Sequence, residues 1–118
     1  MILVDTSVWV EHFRAGSYRL KGLLLDEQVF CHSFVVGELA CGTLHKRVEI
    51  LSMLKALPEA HLLEHKEVMG FIEAQHLFGR GIGWVDAHLL ASTLLTRCTI
   101  WTLDKPLRRA AAALHVLA

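Results

Sequence analysis

Ile2-Leu3-Val4-Asp5-Thr6-Ser7-Val8-Trp9 is the stretch that decides the fold. Three apolar residues in succession read as a strand covered on both faces, the pattern of a parallel sheet. Asp5 closes the run. Thr6 or Ser7 then offers a hydroxyl to cap a helix, whose apolar side carries Val8, Trp9, Val10 and Phe13 and which Gly16 stops. The unit is strand, acid, helix.

Working outward, the same alternation recurs along the chain. A short helix is expected over 18–26, a strand over 29–32, a helix over 34–45 with Ser33 as its cap, and a helix over 47–57 ended by Pro58. A short strand is expected at 61–64. The 3.6-residue period of Val68, Phe71, Ile72, Gln75 and Phe78 predicts a helix over 66–79. Gly79, Gly81 and Gly83 make a loop before an apolar helix at 84–97. Then come a strand at 99–103, a helix at 105–113 opened by Pro106, and an edge strand at 115–117. Strands alternating with helices imply an α/β fold with a short, mostly parallel central sheet and helices on both faces, hence three layers.

Length and composition agree. The 118 residues suit one domain spanning 1–118, able to bury roughly two-thirds of the surface its unfolded form exposes. At 53% hydrophobic and 20% charged residues, with mean hydropathy +0.41, disorder is excluded and apolar surface is left for a partner. The longest stretches free of Asp, Glu, Lys and Arg are ten residues, at 28–37 and 87–96, against about 20 for a membrane span. Asp5 interrupts the apolar start, so no signal peptide is expected and the cytoplasm is the expected location. Cys31, Cys41 and Cys98 are scattered and fit reduced thiols. Basic and acidic residues balance at 12 each, unlike a generic nucleic-acid binder. With four acids withdrawn onto metal ions, however, the remainder is four positive.

Four acids recur where the sheet rule places a ligand, at the carboxyl ends of strands. Asp5 and Asp104 follow strands, Glu38 lies about one turn into a helix, and Asp86 lies in the first turn of another. Singly, Asp5, Asp86 and Asp104 read as helix-start residues favoured by the macrodipole. Glu38 sits in an apolar stretch, Val35 to Cys41, where a buried unpaired carboxylate would be costly. Together at one sheet edge the four repel, and a hard divalent cation removes the conflict. Two such ions about 4 Å apart hold a phosphodiester and supply a hydroxide.

These pieces resemble the PIN-domain family, and within it the VapC-type ribonuclease toxins of VapBC toxin–antitoxin pairs. The likeness rests on Ile2 to Trp9, on Val36-Gly37-Glu38-Leu39, on Trp84-Val85-Asp86-Ala87-His88-Leu89-Leu90-Ala91 and on Thr99-Ile100-Trp101-Thr102-Leu103-Asp104. It implies a metal-dependent endoribonuclease with a three-layer PIN-like fold. Asp5, Glu38, Asp86 and Asp104 would hold one or two Mg²⁺ or Mn²⁺ ions; Ser7 would assist and Thr102 would support. A metal-activated water would leave a 5′-phosphate and a 3′-hydroxyl. The resemblance further implies an RNA substrate, a VapB-type antitoxin whose helical tail lies in an apolar groove, and a homodimer. Trp9, Phe13, Tyr18, Leu20, Leu23 and Leu24 are available for that groove, although core packing explains the same residues. The alternative is a non-catalytic PIN-like scaffold that binds RNA or protein. A phosphate-accepting signalling domain fits less well, because it needs an acidic pair at the first strand.

Two residues depart from the family pattern: Leu90, where a small residue is common, and Trp84, just before the third acid. Trp84 either stacks on an RNA base or plugs the core. Arg80, Lys105, Arg108 and Arg109 are phosphate-binding candidates, with Lys46 and Arg47 more remote. Eight histidines suggest zinc, but Cys41–His45 and Cys31-His32 lack the paired spacing of zinc motifs. The 79–83 glycine loop follows a helix and lacks the GxGxxG spacing of a nucleotide site.

Overall fold

Ile2–Val4 forms β1, and Leu3 and Val4 are fully buried, as a strand apolar on both faces requires. The computed structural model describes residues 1–118. β1 is the centre of a three-stranded sheet in which β2 (Val29–Phe30) and β3 (Thr99–Trp101) flank it, both parallel to it. Leu3 pairs with Phe30 on one side and Ile100 on the other. Two isolated parallel bridges widen the sheet, Cys31 with Glu59 and Ile100 with Leu117. The chain steps from β1 out to β2, then returns past β1 to β3. This reversal brings the carboxyl ends of β1 and β3 side by side, where a doubly wound sheet opens its ligand crevice.

Seven helices cover the sheet: α1 (Thr6–Ala15), α2 (Tyr18–Leu25), α3 (Ser33–Cys41), α4 (Arg47–Ala56), α5 (His65–Ala74), α6 (Trp84–Thr96) and α7 (Lys105–Ala113). The α/β expectation therefore holds, and the sheet is wholly parallel. α6 is the central helix, since every residue from Ala87 to Thr93 is buried. Trp9 on α1 is also fully buried and stacks on Phe13 with centroids 5.7 Å apart. No helix is long and apolar enough to cross a membrane.

Several boundaries differ from the sequence reading. Residues 61–64 form no strand. The pairing falls earlier: Cys31 donates its N–H to Pro58 O and accepts from Ala60 N–H, while His61 N–H goes to the Thr96 hydroxyl. Pro58 lacks an N–H, which confines it to such an edge. The 66–79 helix stops at Ala74 because His76 takes a left-handed conformation, φ 52°, and Leu77 N–H turns back to Ile72 O. Phe78 is left exposed. The 34–45 helix ends at Cys41, and the 115–117 edge strand reduces to its one bridge at Leu117.

Ser33 is not the cap of α3. His32 is: its Nδ1 accepts from Phe34 N–H at 3.0 Å, so the ring proton sits on Nε2 and is donated to Ser92 Oγ at 3.0 Å. One fully buried imidazole thus caps a helix and pins it to α6. Burial, and then the nearby His88, push its pKa down to about 4. The unfolded chain takes up a proton near the ordinary value of 6.5, so this stabilisation is complete above that pH and is lost as pH falls toward 4. His32→Asn keeps a capping group without the titration. Urea midpoints should show wild type clearly more stable than His32→Asn at pH 7, with the margin shrinking by pH 4. A margin independent of pH would mean that His32 is not held neutral.

Candidate metal centre and its hydroxyl clamp

Asp5 stands where β1 becomes α1. Its N–H bonds to Trp101 O, which holds the β1 exit against the β3 exit. It occupies the cap position of α1 but its side chain caps nothing. Instead Oδ2 accepts the Thr102 hydroxyl at 2.6 Å and the Ser7 hydroxyl at 2.8 Å. Each hydroxyl in turn accepts a backbone N–H from the segment leaving β3: Leu103 N–H reaches Ser7 Oγ at 3.0 Å, and Asp104 N–H reaches Thr102 Oγ1 at 3.1 Å. Two relays therefore run from backbone through hydroxyl to one buried carboxylate. Hydrogen bonds to an ionised acceptor are shorter and stronger than neutral ones. Arg108 closes the assembly by donating Nη1 to Thr102 O at 3.2 Å.

The other acids come from three different helices. Asp104 caps α7, its Oδ2 accepting Leu107 N–H at 3.0 Å. Its helix-start reading is correct, and the cap still leaves one oxygen free. Asp86 lies in the first turn of α6, where Oδ2 accepts Gly83 N–H at 3.0 Å. Glu38 on α3 is exposed, so the cost of burial that singled it out in the sequence does not arise. Its Oε1 accepts the Thr6 hydroxyl at 2.7 Å.

Asp86 reports that the four acids share one region. Burial raises its pKa most, Gly83 N–H lowers it, and the charges of Asp5, Asp104 and Glu38 each raise it further. A cation relieves this mutual repulsion. In all four carboxylates one oxygen is held by a protein donor and the other has no protein hydrogen bond. The free donors are thus all hard oxygens, the set that suits Mg²⁺ or Mn²⁺. With the side chains as they lie, no three of them close around a single point at ligating distance. Closing them around an ion would take side-chain adjustment, for which exposure leaves Glu38 and Asp104 room within the single bond that holds each.

The remaining candidates divide. Lys105, Arg109 and Arg80 are exposed and unpaired, because the one ion pair is Arg14 with Glu11. Arg108 is partly committed to Thr102. Trp84 is no core plug: it is 38% exposed, edge-on to His88 at 4.6 Å and tilted against His65 at 4.7 Å. His88 Nδ1 is buried without a partner. Trp9 and Leu20 are fully buried in the core and cannot line a groove. A cleft of about 480 Å³ does lie between α1, α3 and α4, lined by Val10, Phe13, Leu39, Leu44 and Ile50 and bordered by Thr6 and Glu38. The sequence reading missed Thr6 as a site residue. Of the two successive hydroxyls after Asp5, the sequence reading assigns Ser7 to the site and leaves Thr6 as a helix cap.

Comparison with known proteins bears on the family and the fold. The family described as PIN domain matches residues 2–113. Ribonuclease VapC32 of Mycobacterium tuberculosis, from strain CDC 1551 / Oshkosh and from strain ATCC 25618 / H37Rv, is 45% identical over 113 residues, covering 95% of this chain and 91% of the relative. A chain in the crystal structure of FitAcB from Neisseria gonorrhoeae superposes with a TM-score of 0.62 over 95% of this chain and 94% of its own, at 21% identity.

Carboxyl NMR of the metal-free protein tests the shared charge. Asp86 should titrate above its ordinary value of 3.8, and its midpoint should fall in both Glu38→Gln and Asp104→Asn, because each removes a like charge. A midpoint unmoved by either change would place those acids out of reach of Asp86.

Proposed function

The chain belongs to the PIN-domain family, and from that premise we propose that it is a metal-dependent endoribonuclease, the toxin of a VapBC-type pair, with residues 1–118 forming one nuclease domain. The observation that carries the reading is the convergence of Asp5, Glu38, Asp86 and Asp104 at the β1–β3 edge, each keeping one oxygen free of the protein. The 45% identity with a ribonuclease supports the reaction class.

Asp5, Glu38, Asp86 and Asp104 would hold one or two Mg²⁺ or Mn²⁺ ions, which when bound supply positive charge to the phosphate and a more acidic water. Asp5 is the fixed point, since Ser7 and Thr102 orient its carboxylate before any ligand arrives. Ser7 has its proton committed to Asp5 and so acts by orienting. Asp86 has its pKa raised by burial and then by the other three acids, so a counterion would favour its charged form. Arg80, Lys105 and Arg109 would draw the RNA backbone to the rim, and the exposed edge of Trp84 would meet a base. Water attacking phosphorus in line would leave a 5′-phosphate and a 3′-hydroxyl.

A VapB-type antitoxin is the proposed partner, its helical tail seated in the cleft between α1, α3 and α4. Phe13 is the one predicted groove residue that lines it. A second copy of the chain is expected to pair with the first, as in the family. Three free thiols suit a reducing, cytoplasmic setting.

The test is cleavage of structured RNAs, tRNAs included, by partner-free protein with Mg²⁺, Mn²⁺ or EDTA. Cleavage should require the metal, yield 5′-phosphate ends, and fall at least about a hundredfold in Asp5→Ala, the scale seen when a group stabilising the transition state is removed. Metal binding without cleavage of any RNA would favour the scaffold reading, and cleavage that survives EDTA would refute the metal mechanism.

A further inference from the structure

Resting on that reading of the four acids, we propose that Thr6 is a positioning residue that makes Glu38 a one-oxygen ligand and thereby biases the centre toward small octahedral ions over Ca²⁺. The Thr6 hydroxyl is the first side chain of α1, and it donates to Glu38 Oε1 across 32 residues of sequence at 2.7 Å. Neither group is forced into this bond by burial. Glu38 is exposed and Thr6 half-exposed, so water would satisfy both. An exposed glutamate otherwise samples many rotamers, and the bond removes that freedom before an ion arrives.

The chemistry of the bond goes beyond orientation. Ca²⁺ takes six to eight oxygens and accepts both oxygens of a carboxylate. Mg²⁺ holds to near-ideal octahedral geometry, and octahedral oxygen sites also suit Mn²⁺. The Thr6 hydroxyl takes one lone pair of Oε1 and fixes the carboxylate plane, so a two-oxygen grip has to compete with that bond whereas coordination through Oε2 alone, which serves an octahedral ion, does not. The same device recurs at every acid: hydroxyls on Asp5 Oδ2, Gly83 N–H on Asp86 Oδ2, and Leu107 N–H on Asp104 Oδ2. Two of these caps are backbone and the third is the buried network of Asp5. Thr6 is the cap that a substitution can remove by itself.

Calorimetric titration of the full chain with Mn²⁺ and with Ca²⁺ tests the proposal, with a thermal melt to verify folding. Wild type should prefer Mn²⁺. Thr6→Val, equal in shape but without the hydroxyl, should weaken Mn²⁺ binding about tenfold, the lower range for a lost hydrogen bond to a charged group. It should also narrow the preference over Ca²⁺, and Thr6→Ser should restore both. In a Glu38→Gln background Thr6→Val should change nothing further. The proposal is overturned by a folded Thr6→Val with wild-type affinities and preference, or by an equal loss in the Glu38→Gln background. It is also overturned if Thr6→Val and Thr6→Ala both fail to fold, which would make Thr6 a structural tie. Failure of the metal reading itself looks different: wild type then binds neither ion.

Discussion

The Asp5 carboxylate is the constraint on which the site depends. It is buried, and a buried charge is tolerated only when it is paired or hydrogen-bonded. Two hydroxyls meet that need, one from α1 and one from the end of β3, and each is fixed by a backbone N–H of the chain leaving β3. The clamp does two things at once. It ties the exits of β1 and β3 together, and it holds the segment after β3 so that Asp104 caps α7 beside the crevice. The sheet between these exits is only three strands wide, with strands of two or three residues. Much of its precision at the carboxyl end therefore comes from side chains. A network in which every donor has an acceptor rigidifies, and a half-satisfied one destabilises.

Around this fixed point the acids grade from rigid to adjustable. Asp5 is clamped and buried. Asp86 is half-buried on the central helix, and burial first, then the charges of the other three acids, raise its pKa. Glu38 and Asp104 are exposed, each held by one bond. This gradient reconciles two observations: the carboxylates are close enough to feel one another, yet they do not enclose a point as they lie. The outer two, each held by a single bond, are the ones with room to adjust.

How far the sequence was legible follows from what each signal measures. The β1 run and the α6 helix were readable because burial leaves stretches without charged residues, and Asp5 and Asp86 stand at their ends. Element ends were less readable. Periodicity extends the 66–79 helix through Phe78, but the left-handed turn at His76 is made by a residue with no such signature. Strand 61–64 was misplaced because two-residue pairing at a sheet edge is set by tertiary contact. Glu38 was found for a reason that proved wrong, since the apolar letters around it face α1 and α4 while the acid itself points to solvent. The sequence places His32 at the end of a strand, and its capping role stays hidden because a buried cap needs a partner, Ser92, 60 residues away.

The zero net charge also acquires a physical meaning. Basic and acidic groups mostly stay unpaired, since Arg14 and Glu11 form the only ion pair. Arg80, Lys105 and Arg109 stay free for a polyanion, while four carboxylates stand at the crevice it must enter. Without a cation those carboxylates repel a phosphodiester at the place where it would be cut. A bound divalent ion is often the largest local charge in a site and reverses the sign of the potential there. On the proposed function, productive RNA binding is therefore conditional on the ion. On that reading the exposed arginines and lysine would gather the strand non-specifically, and the crevice would admit a phosphate only once its acids are neutralised.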